Sequence, residues 1–149
     1  MKIITLLISF LCCIHINAQD LKKHRWEHRI IIIKTSDVNS KKYKAQKEAF
    51  QNVAKEFIDR KLILYTIIAN TVTITDYANG LLDTAETFSK NLAKKFSKGK
   101  EFEVLLIGLD GSVKLRQTEV LPTKELYDKI DSMPMRRSEM RRKRDKNKS

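Results

Sequence analysis

The sequence is poor in the residues that build disulfide-rich, collagen-like or proline-rich proteins. It has two cysteines, four glycines and two prolines in 149 residues. Cys12 and Cys13 are adjacent, and neighbouring cysteines are badly placed for a disulfide framework or a zinc site. So few glycines and prolines exclude collagen-like repeats and proline-rich low-complexity chains. Acidic residues are also scarce, because 18 aspartates and glutamates face 30 lysines and arginines, for a formal net charge of +12.

Residues 1–18 predict a secretory signal peptide. Lys2 supplies the positive start, residues 3–16 are mostly apolar, and Ala18 ends a suitable cleavage site. The apolar run is shorter than the roughly 20 residues that a transmembrane helix needs. An uncleaved anchor and a lipoprotein modified at Cys12 or Cys13 are the alternatives. We expect cleavage near Ala18 and a periplasmic or secreted protein with no transmembrane span.

Cleavage after Ala18 would remove both cysteines from the chain. Residues 19–149 contain no thiol. The exported protein would then enter an oxidising compartment without a disulfide or a thiolate nucleophile. Thiol redox chemistry is therefore not expected of it.

The hydrophobic patterning of residues 19–140 predicts one α/β domain with the order β-α-β-α-β-β-α. Ile30 to Ile33 form a β-branched run that is typical of a strand buried on both faces. Asp110-Gly111 between two strand-like runs predicts a hairpin. The remaining predicted elements are strands at 61–69, 102–107 and 112–116, helices at 40–60, 81–96 and from 122 onward, and a polar connection at 70–80.

This order favours a four-stranded mixed sheet with three main helices, which is the thioredoxin-like arrangement. The two βαβ-type connections predict parallel pairing with right-handed crossovers, and the hairpin adds an antiparallel edge. Pro134 predicts a break near Met133, with a short new helix after it. Residues 141–149 predict a basic, disordered tail.

Three segments resemble a known family when they are taken together. They are RWEHR at 25–29, IGLDGSVKLR at 107–116 and IDSMPMRRSEM at 130–140. The combination resembles the domain-of-unknown-function family 4174, over roughly residues 21–140. That family includes small secreted bacterial proteins and domains of animal matrix proteins with sushi repeats.

The resemblance implies distant kinship with thioredoxins and peroxiredoxins, and it implies no settled activity. The matrix relatives suggest adhesion or matrix binding. Active thioredoxins carry a reactive cysteine pair after the first strand, where this chain has residues 35–40. They carry a cis-proline before the third strand, where this chain has residues 97–101. Neither feature is present, so fold kinship does not imply redox work.

Two places could bind an anionic ligand. Lys114 and Arg116 share one face of the predicted hairpin strand and lie near Asp110; the alternative is a solvated hairpin. Arg136 and Arg137 lie in the first turn after Pro134, where cations oppose the helix dipole. They either pair with Asp131 or Glu139 in a structural role, or they point at a ligand. The candidate ligand-binding residues are Asp110, Lys114, Arg116, Asp131, Arg136, Arg137 and Glu139.

No metal, cofactor or catalytic constellation is expected. His24 and His28 do not match the His-Glu-x-x-His pattern of zinc proteases. We expect both histidines at the surface, with Trp26 anchoring the chain to the core. No candidate nucleophile is paired with a base.

The sequence therefore favours a non-catalytic exported module that contacts a protein partner or an anionic envelope polymer. Residues 136–149 contain eight lysines or arginines and only two acidic residues. No motif for sequence-specific nucleic-acid binding is present, and few aromatic residues are available to stack on bases. The alternative is a thiol-independent or degenerate peroxiredoxin-like enzyme of the cell envelope.

Overall fold

A computed structural model describes residues 19–85 and 101–148 of the protein. The predicted signal peptide, both cysteines and most of the predicted helix at 81–96 lie outside the described residues. The described elements are α1 (Gln19–Lys22), β1 (Arg29–Thr35), α2 (Lys41–Ala49), α3 (Ala54–Asp59), β2 (Leu62–Ile68), β3 (Thr71–Asp76), β4 (Leu81–Ala85), β5 (Phe102–Ile107), β6 (Val113–Gln117), α4 (Thr123–Asp131) and α5 (Pro134–Lys146).

The described strands form one mixed sheet in the order β4-β3-β2-β1-β5-β6. β1 is central, parallel to β2 and antiparallel to β5. Every residue of β1 is buried, which confirms the prediction of a strand covered on both faces. Ile31 and Ile33 join the core cluster that includes residues of the helices, whereas Ile30 and Ile32 belong to a second apolar cluster.

The described sheet has six strands, so the predicted number of four is wrong. The predicted polar connection at 70–80 contains β3, and the predicted helix at 81–96 begins instead with β4. Val72 and Ile74 of β3 are buried and alternate with threonines. This period of two is that of a half-buried strand, and threonine is itself a β-branched residue that favours strands.

The parallel pairing predicted for the strand at 102–107 is also wrong. That strand is β5, and it runs antiparallel to β1. The segment between β2 and β5 includes the β3–β4 hairpin and is not a single crossover helix. The handedness rule for parallel βαβ units therefore does not apply to it. The predicted Asp-Gly hairpin between β5 and β6 is confirmed.

The single helix predicted at 40–60 is divided into α2 and α3. Ser40 caps α2 by accepting a 3.3 Å hydrogen bond from the backbone N–H of Tyr43. Between the two helices, Asn52 adopts a left-handed backbone with φ of 56°, a conformation that asparagine tolerates better than most residues. Phe50 and Phe57 lie on either side of this break, and their rings meet edge to face at 5.6 Å.

The C-terminal region forms two helices, as Pro134 predicts. Pro134 opens α5, where a missing backbone N–H costs little. α5 continues to Lys146, so that the tail predicted to be disordered from residue 141 is helical over most of its length. Leu126 and Ile130 of α4 are fully buried and fix this end of the chain on the sheet.

Candidate functional site

Arg136 is buried rather than displayed to a ligand. Only 4% of its surface is exposed. Its Nη1 donates a 2.7 Å hydrogen bond to the backbone carbonyl of Asp59, Nη2 donates to the Asp59 carboxylate, and Nε donates to Asp131 at 3.0 Å. Glu139 lies 3.6 Å from Nη1. Of the two alternatives that the sequence left open, these contacts match the structural pairing.

Arg60 joins the same group of charges from the end of α3. Its Nη2 donates a 2.7 Å hydrogen bond to Asp131, and Nη1 donates a 2.7 Å hydrogen bond to Glu56. The guanidinium carbon lies 4.3 Å from the centre of the Tyr127 ring, within the range of a cation–π contact. Asp131 is therefore shared between Arg60 and Arg136 and connects α3 to α4 and α5.

Arg29, at the start of β1, is the most deeply buried of these arginines, with 1% of its surface exposed. Its Nη1 donates a 2.9 Å hydrogen bond to the backbone carbonyl of Arg60 and a 3.2 Å hydrogen bond to Glu139. Its Nε and Nη2 are buried without a hydrogen-bond partner in the described part of the chain. We refer to Arg29, Arg60 and Arg136 as the arginine cluster.

Carboxylates lie against Arg60 and Arg136 and favour the charged form of both side chains. Burial alone would lower the pKa of Arg60 and Arg136, but hydrogen bonds to the carboxylates raise it above its ordinary value. The pKa of Asp59 is lowered, chiefly by the hydrogen bond from Lys143 and further by Arg136. Buried charges need such partners, because the loss of hydration is expensive for an unpaired ion.

The β5–β6 hairpin holds a second, smaller ion pair. Lys114 Nζ lies 2.7 Å from Asp110 Oδ2. The hydrogen bond from Lys114, followed by that from the backbone N–H of Ser112, lowers the pKa of Asp110 from 3.8 to about 2. Gly108 makes the pairing possible, because an added Cβ at that position would lie 2.6 Å from Lys114 Cε.

Two of the predicted ligand-binding residues lie apart from both groups. Arg116 has its own partner, with Nε 3.3 Å from Glu103 of the neighbouring strand. Arg137 is exposed on α5. The structure thus brings Asp131, Arg136 and Glu139 together, pairs Asp110 with Lys114, and joins neither Arg116 nor Arg137 to them.

A cavity of about 400 Å³ lies between the β5–β6 hairpin and the junction of α4 with α5. We call it the hairpin cavity. Its wall includes Arg29, residues 108–110 with Lys114, and residues 132–135. These residues come from the three segments that carry the family resemblance. Segments far apart in sequence therefore meet at one place, which makes the hairpin cavity a candidate functional site.

The predicted surroundings of His24 and Trp26 are wrong. Trp26 is 56% exposed, with Arg25 above its ring. His24 is buried, and its Nε2 lies 2.6 Å from the hydroxyl oxygen of Tyr65. The backbone N–H of Trp26 donates a 2.7 Å hydrogen bond to the Leu109 carbonyl, so the backbone of Trp26 is held against the β5–β6 hairpin while its ring is exposed. Over residues 19–85 and 101–148, no three metal-binding side chains come together.

Sequence reasoning missed Arg29, Arg60 and Asp59 as members of the buried charge network. One signal was available, because Arg29 directly precedes the isoleucine run and Arg60 ends the segment before the next strand. β1 and β2 are parallel, with Arg29 beside Leu62. Residues that precede two neighbouring parallel strands lie at the same end of the sheet, so the two arginines are brought together.

The described chain is a mixed α/β protein in which the hairpin cavity adjoins a buried arginine cluster. Residues 20–139 match the family described as a domain of unknown function, DUF4174, and the chain belongs to that family. The family predicted from the three segments is thus confirmed. No curated protein matches the chain. Among the helices of the described residues, none is long and apolar enough to cross a membrane.

Proposed function

We propose that this protein is an exported, non-catalytic binding module that contacts an anionic polymer through the exposed cations of α5. The proposal rests on the difference in burial between Arg136 and the other cations of this helix. Arg136 is buried among carboxylates, whereas the cations that follow it are exposed. The exposed cations are Arg137, Arg141, Arg142, Lys143, Arg144 and Lys146.

The helical form of this segment supports the proposal. Because the backbone of α5 is already helical, less conformational entropy is lost on binding than with a disordered tail. Lys143 Nζ lies 2.5 Å from Asp59 Oδ1 and ties the last turn of α5 to α3. The positive charge is therefore presented at a defined place on the domain.

We further propose a thioredoxin-like scaffold for the domain. The support is the central part of the sheet, in which β2 and β1 are parallel and the β5–β6 hairpin follows in antiparallel pairing. The β3–β4 hairpin would then be two extra strands that extend the sheet at the edge formed by β2. Export remains part of the proposal, and intact-mass analysis of protein recovered outside the cytoplasm would give the cleavage site.

The binding proposal is tested by retention on immobilised heparin, a sulfated polysaccharide, across a salt gradient. A variant with Arg141, Arg142 and Arg144 replaced by Gln should elute at clearly lower salt than the wild type. The matched control replaces Lys44, Lys47 and Lys55, which are exposed on α2 and α3, and removes the same charge. Equal elution of the two variants would contradict the proposal, because it would mean that only net charge matters.

A further inference from the structure

We propose that the hairpin cavity binds a small organic anion, with its carboxylate or phosphate group held by Arg29 and its apolar part against Met133 and Met135. This site does not include the exposed cations of α5 and does not depend on polymer binding.

The first argument is the unfilled edge of the Arg29 side chain. Nε and Nη2 lie on the same edge of a guanidinium group, and both are buried without a partner in the described residues. Such an edge presents two parallel N–H donors that match the two oxygens of a carboxylate or phosphate. Buried donors without partners are unfavourable. Arg29 lines the hairpin cavity, so an anion that enters the cavity and reaches this buried edge would supply the missing acceptors.

The second argument is the charge of the cavity wall. Arg29, Lys114 and Lys129 contribute positive charge, and Asp110 is the acidic residue among the lining residues that the structure describes. Glu139, behind the wall, balances part of this charge through its contact with Arg29 Nη1. Asp110 is already occupied by Lys114 and Ser112. The wall therefore carries a surplus of positive charge that favours an anion over a neutral or cationic ligand.

The third argument is the apolar side of the same cavity. Met133 and Met135 lie on its wall together with Leu109 and Pro134. Methionine side chains are flexible and polarisable, and they adapt to ligands of different shape. A volume of about 400 Å³ falls in the range of small-molecule sites. The combination of cationic and apolar walls suits an amphipathic organic acid better than an inorganic ion.

The test uses four probes with the same six-carbon chain, namely hexanoate, hexyl phosphate, hexanol and hexylammonium. Binding is followed by NMR through the methyl resonances of Met133 and Met135 in the full exported chain. We expect hexanoate or hexyl phosphate to bind at least about tenfold more tightly than hexanol, with no binding of hexylammonium. The stronger of the two anions identifies the head group. Equal binding of hexanol, or no shift with any probe, would overturn the proposal.

Variants assign the binding to individual residues. Arg29→Lys keeps the charge but loses the two-donor edge, and we expect it to weaken anion binding about tenfold or more. Lys129→Met should weaken it about threefold by removing one cation, whereas Lys124→Met, on the same helix but outside the cavity wall, should not. If Arg29→Lys does not fold, the comparison of Lys129 with Lys124 decides, and equal effects would contradict the site.

The triple α5 variant should bind hexanoate or hexyl phosphate as the wild type does, so the two proposals fail or succeed separately.

Discussion

Arg136 in α5 donates a 2.7 Å hydrogen bond to the backbone carbonyl of Asp59, which lies 77 positions earlier in the chain. A second contact from the same guanidinium reaches the Asp59 carboxylate. These contacts fasten α5 to the end of α3. The sequence left open a structural pairing or a ligand contact for Arg136, and the contacts observed are those of the structural pairing.

Replacing Arg136 by Met should destabilise the protein strongly. The change removes the buried partner of Asp59 and one of the two arginines that hold Asp131, and breaking such a buried pair costs about 3 kcal/mol. Urea unfolding followed by circular dichroism measures the loss. Arg137→Met is the matched control, because Arg137 is exposed and its replacement should change stability by no more than about 0.5 kcal/mol. Similar losses in both variants would mean that Arg136 has no special role.

The Asp110 carboxylate should titrate at unusually low pH. Its folded pKa is about 2, below the ordinary value of 3.8. A lowered pKa means that its contribution to stability is complete above pH 3.8 and is lost as the pH falls toward 2. NMR titration of the carboxyl carbon should give this midpoint, and Lys114→Met should move it up toward 3.8. A wild-type midpoint near 3.8 would refute the proposed pairing.

Substituting Gly108 by Ala should disturb the hairpin cavity without unfolding the protein. The new Cβ would lie 2.6 Å from Lys114 Cε and 2.9 Å from Asp110 Oδ1. Lys114 must move, so we expect the pKa of Asp110 to rise and stability to fall by about 1 kcal/mol. Gly80→Ala is the control. Gly80 has a φ of +71° and no neighbouring atoms within 4 Å, so its replacement should strain the backbone and leave the Asp110 titration unchanged.

Replacing Tyr65 by Phe should destabilise the protein at the second apolar cluster, which contains Tyr65 together with Ile30 and Ile32. Tyr65 is fully buried, and its hydroxyl lies 2.6 Å from His24 Nε2. Loss of a buried hydrogen bond that leaves a polar atom behind costs about 1–3 kcal/mol. Thermal unfolding of Tyr65→Phe and of Tyr77→Phe provides the comparison. Tyr77 is only partly buried, and we expect the smaller loss from it. The reverse order would show that the His24 contact contributes little.

Local chemistry was sufficient to predict β1 and the β5–β6 hairpin. Four consecutive isoleucines allow few alternatives to a buried strand, and Asp110-Gly111 supplies the turn. β3 is harder to predict because threonines are common in polar loops, although here they alternate with Val72 and Ile74. β4 was missed because its sequence continues into a segment with helical spacing, and only pairing with β3 makes residues 81–85 a strand.

The candidate site was predictable only where its contacts are local. The pairing of Arg136 with Asp131 spans five positions, and that of Lys114 with Asp110 spans four. The contacts of Arg29 with Glu139 and of Asp59 with Arg136 form only when β1, β2 and α5 have assembled. Sequence spacing carries no information about such contacts until the strand order is known.

The ion pair between Arg29 and Glu139 joins residues 110 positions apart, and it has a consequence for the timing of folding. The buried guanidinium at the start of β1 acquires its carboxylate only when the segment around residue 139 has reached it. Contacts between distant segments also form slowly, because a long loop must close first. Docking of α5 thus completes the pairing of Arg29, and a chain shortened before residue 136 would leave this buried guanidinium without its carboxylate.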